Sequence, residues 1–255
     1  MQCPEVPVDT GESVIVNLPD GRTITLPLLQ GRGSGKAERF VDISSLAEKC
    51  GLLVFDPGFT CTASCASAVT FIDGPRGRCL YRGLKVDGLA REHTYPDVCY
   101  LLLHGELPDS DESKRFNELL KSHSLVHEKF KEFFGGFQSG AHPMAIMVAV
   151  VGALSAFYPL EAGGGGSTVA GWPLARREGL AAQVIAKFPT LAAMAYKTAI
   201  GEPIVYPKRK LSFAENFLHM MFARPDEEYK VRPICAQALE AFMILHADHE
   251  QVSKQ

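Results

Sequence analysis

The sequence predicts a mainly α-helical protein, a multi-helical large domain preceded by a small β-rich N-terminal region. Three observations carry that expectation. β-branched, partly alternating residues flank a turn between residues 13 and 29; apolar residues recur at helical spacing after residue 87; and the run from His142 to Tyr158 is apolar throughout. With 255 residues, 46% of them hydrophobic, the chain can bury a sizeable core. It divides into residues 1–50, a β-rich region with its connector, and residues 51–255, the helical region.

Residues 13–29 read SVIVNLPDGRTITLPLL, two strand-like runs around Pro19-Asp20-Gly21, whose turn chemistry suits a hairpin. Gly31-Arg32-Gly33-Ser34-Gly35-Lys36-Ala37 has the wrong glycine spacing for a phosphate loop, and Ala37 stands where a Mg2+-ligating hydroxyl belongs, so it reads as a connector. Residues 51–83 alternate short apolar runs with Asp-Pro-Gly and Asp-Gly turns, a pattern of loops and short strands.

Helices follow. Leu89, Val98, Leu101 and Leu102 mark one over 87–104, with Pro96 as a break or fresh start and Gly105 as its stop. Asp109, Ser110 and Asp111 are cap candidates for an amphipathic helix over 111–134, carrying Phe116, Leu119, Leu120, Val126, Phe130 and Phe134. His123 and His127 would share a face of that helix, where packed histidines are commoner than a metal pair without a third ligand. The run HPMAIMVAVVGALSAFY, residues 142–158, is shorter than the roughly 20 residues that cross a bilayer. A helix apolar on all sides is expected to be covered by protein on all of them. Gly163–Gly166 reads as a loop, residues 178–199 and 211–223 as further helices, and Ile234–Glu250 as the last helix.

Charge and cysteines exclude several classes. A formal charge of -3 offers no surplus to neutralise a phosphate backbone, so no nucleic acid partner is expected, and with the longest apolar run too short to span a bilayer no membrane is expected either. Seven scattered cysteines in a chain of this size suggest a reducing compartment rather than a disulfide framework. Cys61 and Cys65 lack the second pair that zinc wants, so no metal site is expected. The first residues show neither a signal peptide nor a transit peptide, which points to the cytoplasm, with the mitochondrial matrix as the other compartment considered.

His246, Asp248 and His249 are the sharpest polar cluster, directly after the apolar run Ala241–Leu245. On that last helix His246 and His249 lie three apart on one face and can point into one pocket, with Asp248 orienting an imidazole or capping a neighbour. A metalloprotease helix would need H-E-x-x-H, and Gln251, Val252 and Ser253 follow His249-Glu250 instead. Helix-terminal histidines favoured by the helix dipole and a substrate-binding pair both remain open on pattern alone.

The run Phe55-Asp56-Pro57-Gly58-Phe59-Thr60, then Ser64-Cys65-Ala66-Ser67, Phe71-Ile72-Asp73-Gly74 and Tyr81-Arg82-Gly83, resembles the opening signature of bacterial-type citrate synthases. The resemblance continues in order through Tyr100–Pro108, Ala141–Met144, Phe188–Ala193, Asn216–Phe222 and Leu245–Gln251. It implies a helical citrate synthase-like large domain and an acyltransferase of the tricarboxylic acid cycle that condenses acetyl-CoA with oxaloacetate and water to citrate and CoA. No cofactor is implied, since acetyl-CoA is a substrate, and the full-length protein is expected to be a homo-oligomer, dimer or hexamer.

By the same resemblance His249 is the oxaloacetate contact and His246 its supporting neighbour, while the aspartate base and the histidine that donates to the enolate lie beyond the segment corresponding to Gln251. No catalytic residue is assigned, and the chain is expected to be a truncated, catalytically incomplete synthase. The alternative is a non-catalytic fragment that serves only as an oligomerisation partner of a full-length synthase. Members of this type can bind NADH through a Tyr, an Arg and a Lys; Tyr158 and Lys187 occupy similar places, but Gln183 replaces the Arg, so NADH inhibition is not expected.

Overall fold

The computed structural model describes residues 8–31, 39–63, 67–158 and 173–249. Residues Arg32–Ala37 of the connector, the Gly163–Gly166 loop, Cys65 and Glu250 lie outside the described residues. The chain forms two compact units, one of Met1–Glu92, His104–Glu106 and Ile244–Gln255, the other of His93–Leu103 and Leu107–Met243.

In the first unit, β1 (Val8–Asn17), β2 (Thr23–Gln30) and β3 (Arg39–Val41) form an antiparallel sheet in that order. The hairpin expected at Pro19–Gly21 is present. Asn17 pairs with Thr23, the Leu18 and Arg22 backbones close the turn at 2.8 Å, and Gly21 takes φ +83°, a conformation only glycine adopts cheaply. Alternation along β2 turns Ile24, Leu26 and Leu28 to one buried face, and Leu46 of the short helix α1 (Leu46–Cys50) packs against Ile24 and Leu26.

A second antiparallel sheet joins β4 (Thr70–Asp73), β5 (Arg78–Tyr81) and β6 (Leu84–Lys85). Its first hairpin turns through a 3-10 segment, Gly74–Arg76, whose Arg76 N–H donates to the Asp73 carboxylate at 3.3 Å. Tyr81 ends β5 because Arg82 enters the left-handed region at φ +48° and Gly83 follows it at φ +85°. Helix α2 (Val86–Glu92) buries Val86 and Leu89.

Helix α3 (Tyr95–His104) starts afresh just ahead of Pro96. The Thr94 N–H and hydroxyl both donate to Asp97 Oδ2, at 3.1 and 2.6 Å, and Pro96 sits in the first turn, where a missing N–H costs nothing. Helix α4 (Ser110–His123) is opened by a capping box of Asp109 and Glu112. The single helix expected over 111–134 is corrected to two, α4 and α5 (Phe130–Phe134). The reason is tertiary: the carbonyls of His123 and Leu125 accept from Lys187 Nζ, and that of Ser124 from Thr190 Oγ1, so these groups are satisfied by side chains rather than by a continuing helical ladder.

Lys187 and Thr190 belong to α7 (Leu174–Ile200), which also packs against α6 (Pro143–Phe157) and α8 (Phe213–Phe222). Gly201, at φ +72°, closes α7 in the left-handed conformation. Cys99, Phe116, Leu120, Ala182 and Ala186 form one core cluster, and Phe130, Phe134, Ile146, Val150, Leu191, Met194 and Ala195 another. Helix α6 is not covered on all sides, contrary to expectation. Ile146 and Val150 face the core, while Met144 and Val148 on the opposite face are 62% and 73% exposed. Among the described residues no helix is long and apolar enough to cross a membrane.

Candidate functional site

The last helix, α9 (Pro233–Leu245), ends before the histidines, so the expectation of a helix through Glu250 is corrected. One further turn is closed by the Ala247 N–H donating to the Ile244 carbonyl at 3.2 Å. His246 and His249 therefore do not share a helical face. They lie on a turn, both exposed, on either side of the half-buried Ala247 and Asp248.

What holds that turn is the β4–β5 hairpin. The Thr70 hydroxyl donates to Asp248 Oδ2. The Tyr81 hydroxyl donates to the Asp248 carbonyl at 3.1 Å and lies 3.4 Å from the Asp248 N–H, which it accepts. Tyr81 is fully buried, and burial, with smaller effects from Cys79 and Asp248, raises its phenol above the ordinary value, so it stays a donor at neutral pH. The neighbouring Cys79 thiol is also pushed up, first by burial and then by the Asp248 charge. Asp248 is thus an anchor to the sheet through Thr70. Neither Thr70 nor Tyr81 had a local signal, because they lie 178 and 167 residues from Asp248.

The other candidates resolve differently. His123 closes α4 and His127 lies in the connection before α5, so they do not form the i, i+4 pair expected on one helix. The His127 N–H donates to Tyr158 Oη at 2.7 Å and its ring lies 5.7 Å from that of Phe157. Tyr158 and Lys187 do come together, with the ammonium 4.5 Å from the ring centroid, yet the same ammonium donates to two backbone carbonyls. Burial holds Lys187 below the usual lysine range, and Gln183 is half-buried. Among the described residues no group of three or more His, Cys, Asp or Glu side chains is placed to hold a metal ion; Cys61 is exposed, and the thiol of the buried Cys99 is pushed up to about 12 by burial. A cleft between α4, α7 and α8 is lined by Asn117, Lys121, Ser124, Thr190, Asn216 and Met220.

A family model for the citrate synthase C-terminal domain matches residues 58–253. The crystal structure of citrate synthase from Pyrobaculum aerophilum is similar at a TM-score of 0.60 and 27% identity, over 97% of this chain and 52% of that one. The citrate synthase of Thermotoga maritima MSB8 shares the fold at a TM-score of 0.59 and 24% identity, over 78% of this chain and 48% of that one. The chain spans about half the length of the solved structures it resembles.

Proposed function

We propose a function from the premise that the chain belongs to the citrate synthase family: its residues supply the oxaloacetate side of the condensation of acetyl-CoA with oxaloacetate and water to citrate and CoA. His249 contacts oxaloacetate and His246 supports it. The observation that carries this reading is the anchored turn, which leaves both imidazoles exposed around a residue whose backbone and carboxylate are held by hydrogen bonds. Neutral imidazoles in such a place can donate to a carbonyl or carboxylate oxygen.

Condensation also needs a carboxylate base to take a proton from the thioester methyl and a donor for the enolate oxygen. The family resemblance puts both beyond the segment corresponding to Gln251, so this reading assigns neither role to a residue described above. Lacking a general base alone typically removes about 10²–10⁴ in rate. Two measurements on the purified chain test the reading. Calorimetric titration with oxaloacetate is expected to show binding that His249→Gln abolishes, and a thiol-release assay with acetyl-CoA is expected to stay at background. Appreciable turnover, or binding indifferent to His249, would sink it.

A second reading is favoured by the exposed apolar side chains: the chain associates with copies of itself or with a full-length synthase. Met144 and Val148 on α6, and Ile234 and Phe242 on α9, are each more than 60% exposed. Copurification with a tagged full-length synthase is the expected outcome, and a monomeric chain that is not retained counts against it.

A further inference from the structure

Thr70 and Tyr81 are direct partners across the β4–β5 ladder, the first residue of β4 opposite the last of β5. Directly opposed residues of an antiparallel pair project from the same face of the sheet with their Cβ atoms roughly 5 Å apart. Their hydroxyls therefore leave that face together, the short one of Thr70 near the strand and the long one of Tyr81 farther out. Both end on one residue, Asp248: Thr70 on its carboxylate, Tyr81 on its carbonyl at 3.1 Å and its N–H at 3.4 Å.

That residue lies where the chain most needs a fixed point. Helix α9 has ended at Leu245, and beyond it the Ala247 N–H makes the last helix-type hydrogen bond, to Ile244. From there to His249 no ladder sets the backbone direction, and the two exposed imidazoles are not aimed by burial. Holding the N–H, the carbonyl and the carboxylate of Asp248 fixes the rotation of the peptide units on both of its sides. Those peptide units set the direction in which the Cα–Cβ bond of His249, the next residue, leaves the chain, and they tie down the turn that carries His246. The hairpin is itself held in register: Arg82, in its left-handed conformation, donates its N–H to the Val69 carbonyl at 2.7 Å and closes the pairing just beyond Tyr81. A phenol is protonated at neutral pH at its ordinary value and burial only raises this one further, so Tyr81 can donate.

We propose that Thr70 and Tyr81 are positioning residues that aim the imidazoles of His246 and His249 by clamping Asp248 between them. The consequence for oxaloacetate rests on the function proposed above; the aiming itself rests on the hydrogen bonds alone. The cross-strand pair sets where the turn sits, and the histidines supply what it presents.

The test separates the two claims. The purified chain is labelled with 15N in its histidine rings, and the imidazole cross-peaks of His246 and His249 are assigned with single His→Gln variants. Tyr81→Phe and Thr70→Val are expected to move those two cross-peaks, to leave those of the other histidines in place, and to speed exchange of the Asp248 amide. Thr70→Ser, which keeps the hydroxyl, is expected to retain the native pattern, and it shows whether a failure of Thr70→Val to fold arises from packing. On addition of oxaloacetate the affinity of each hydroxyl-deleted variant is expected to fall about tenfold, the worth of one hydrogen bond. Selective movement of the two cross-peaks in a chain that shows no response to oxaloacetate upholds the positioning role and overturns the substrate reading. Unmoved cross-peaks in both hydroxyl-deleted variants, or movement of all the histidines together, overturns the positioning role.

Discussion

Lys187 donates from its ammonium to the main-chain carbonyl of His123 at 2.7 Å, across 64 residues of sequence. It also donates to the Leu125 carbonyl at 3.1 Å, so one cation serves the frayed end of α4, where the helix dipole favours positive charge. Lys187→Met keeps the stem and removes the donors, leaving two carbonyls poorly satisfied. The expected loss is about 2–4 kcal/mol in urea unfolding, with the last turn of α4 exchanging its amides faster. A loss within about 0.5 kcal/mol would show that water replaces the ammonium there.

Lys197, only 1% exposed, carries a second buried cation. Its ammonium donates to the Ala223 carbonyl at 3.0 Å and to Glu202, whose side chain is 35% exposed. Lys197→Ala removes the buried stem and leaves the Ala223 carbonyl without its donor. It is expected to cost about 2–5 kcal/mol, the range for truncating a long buried side chain. Glu202→Gln is expected to cost less, because an amide oxygen still accepts and the site is half open to water. Equal losses for the two variants would count against this assignment.

These two lysines show why part of the fold was legible in the sequence and part was not. The Pro19–Gly21 hairpin and the Asp109 cap are local, settled within a few residues of one another. The end of α4 is not local, because its carbonyls are taken by Lys187 and Thr190 from more than 60 residues away. The histidine motif followed the same division. His246 and His249 stood out by their place after an apolar run, but the hydrogen bonds that hold Asp248 between them come from β4 and β5. Helix α6 erred in another way: its pattern reports that a face is apolar, and carries nothing about whether anything covers it.

Glu240 makes the fold's response to acid testable. Its carboxylate accepts from the Tyr95 N–H at 2.6 Å, at the start of α3, and from the Ala214 backbone, at the start of α8. Burial nevertheless dominates and raises it above the ordinary glutamate value of 4.5. The folded state then holds the proton more tightly than the unfolded state, so the stabilising contribution is full below 4.5 and is lost as pH rises through the raised folded value. Urea midpoints of the native chain and Glu240→Gln, compared as pH falls from neutral towards 4.5, are expected to move in the native chain's favour. A difference that is constant with pH rules this out.

Asp56 has the opposite sign. Its carboxylate accepts the Thr60 N–H at 3.0 Å, the Thr60 hydroxyl at 2.8 Å, the Cys61 N–H at 2.9 Å and the Thr62 hydroxyl at 2.5 Å. These bonds, led by that from Thr62, favour the ionised form and lower its pKa from the ordinary 3.8 to about 2. They also close a loop in which Gly58 and Phe59 both take positive φ, at 78° and 52°, so the carboxylate holds together a backbone that does not form readily by itself. The contribution is present above 3.8 and is lost as pH falls through about 2. A carbon-detected titration of the Asp56 carboxyl is expected to find its midpoint near 2, and Asp56→Asn to lose its handicap relative to the native chain over that same interval. A midpoint at the ordinary aspartate value would mean that the four donors do not act on the ionised group in solution, and the loop would then need another explanation.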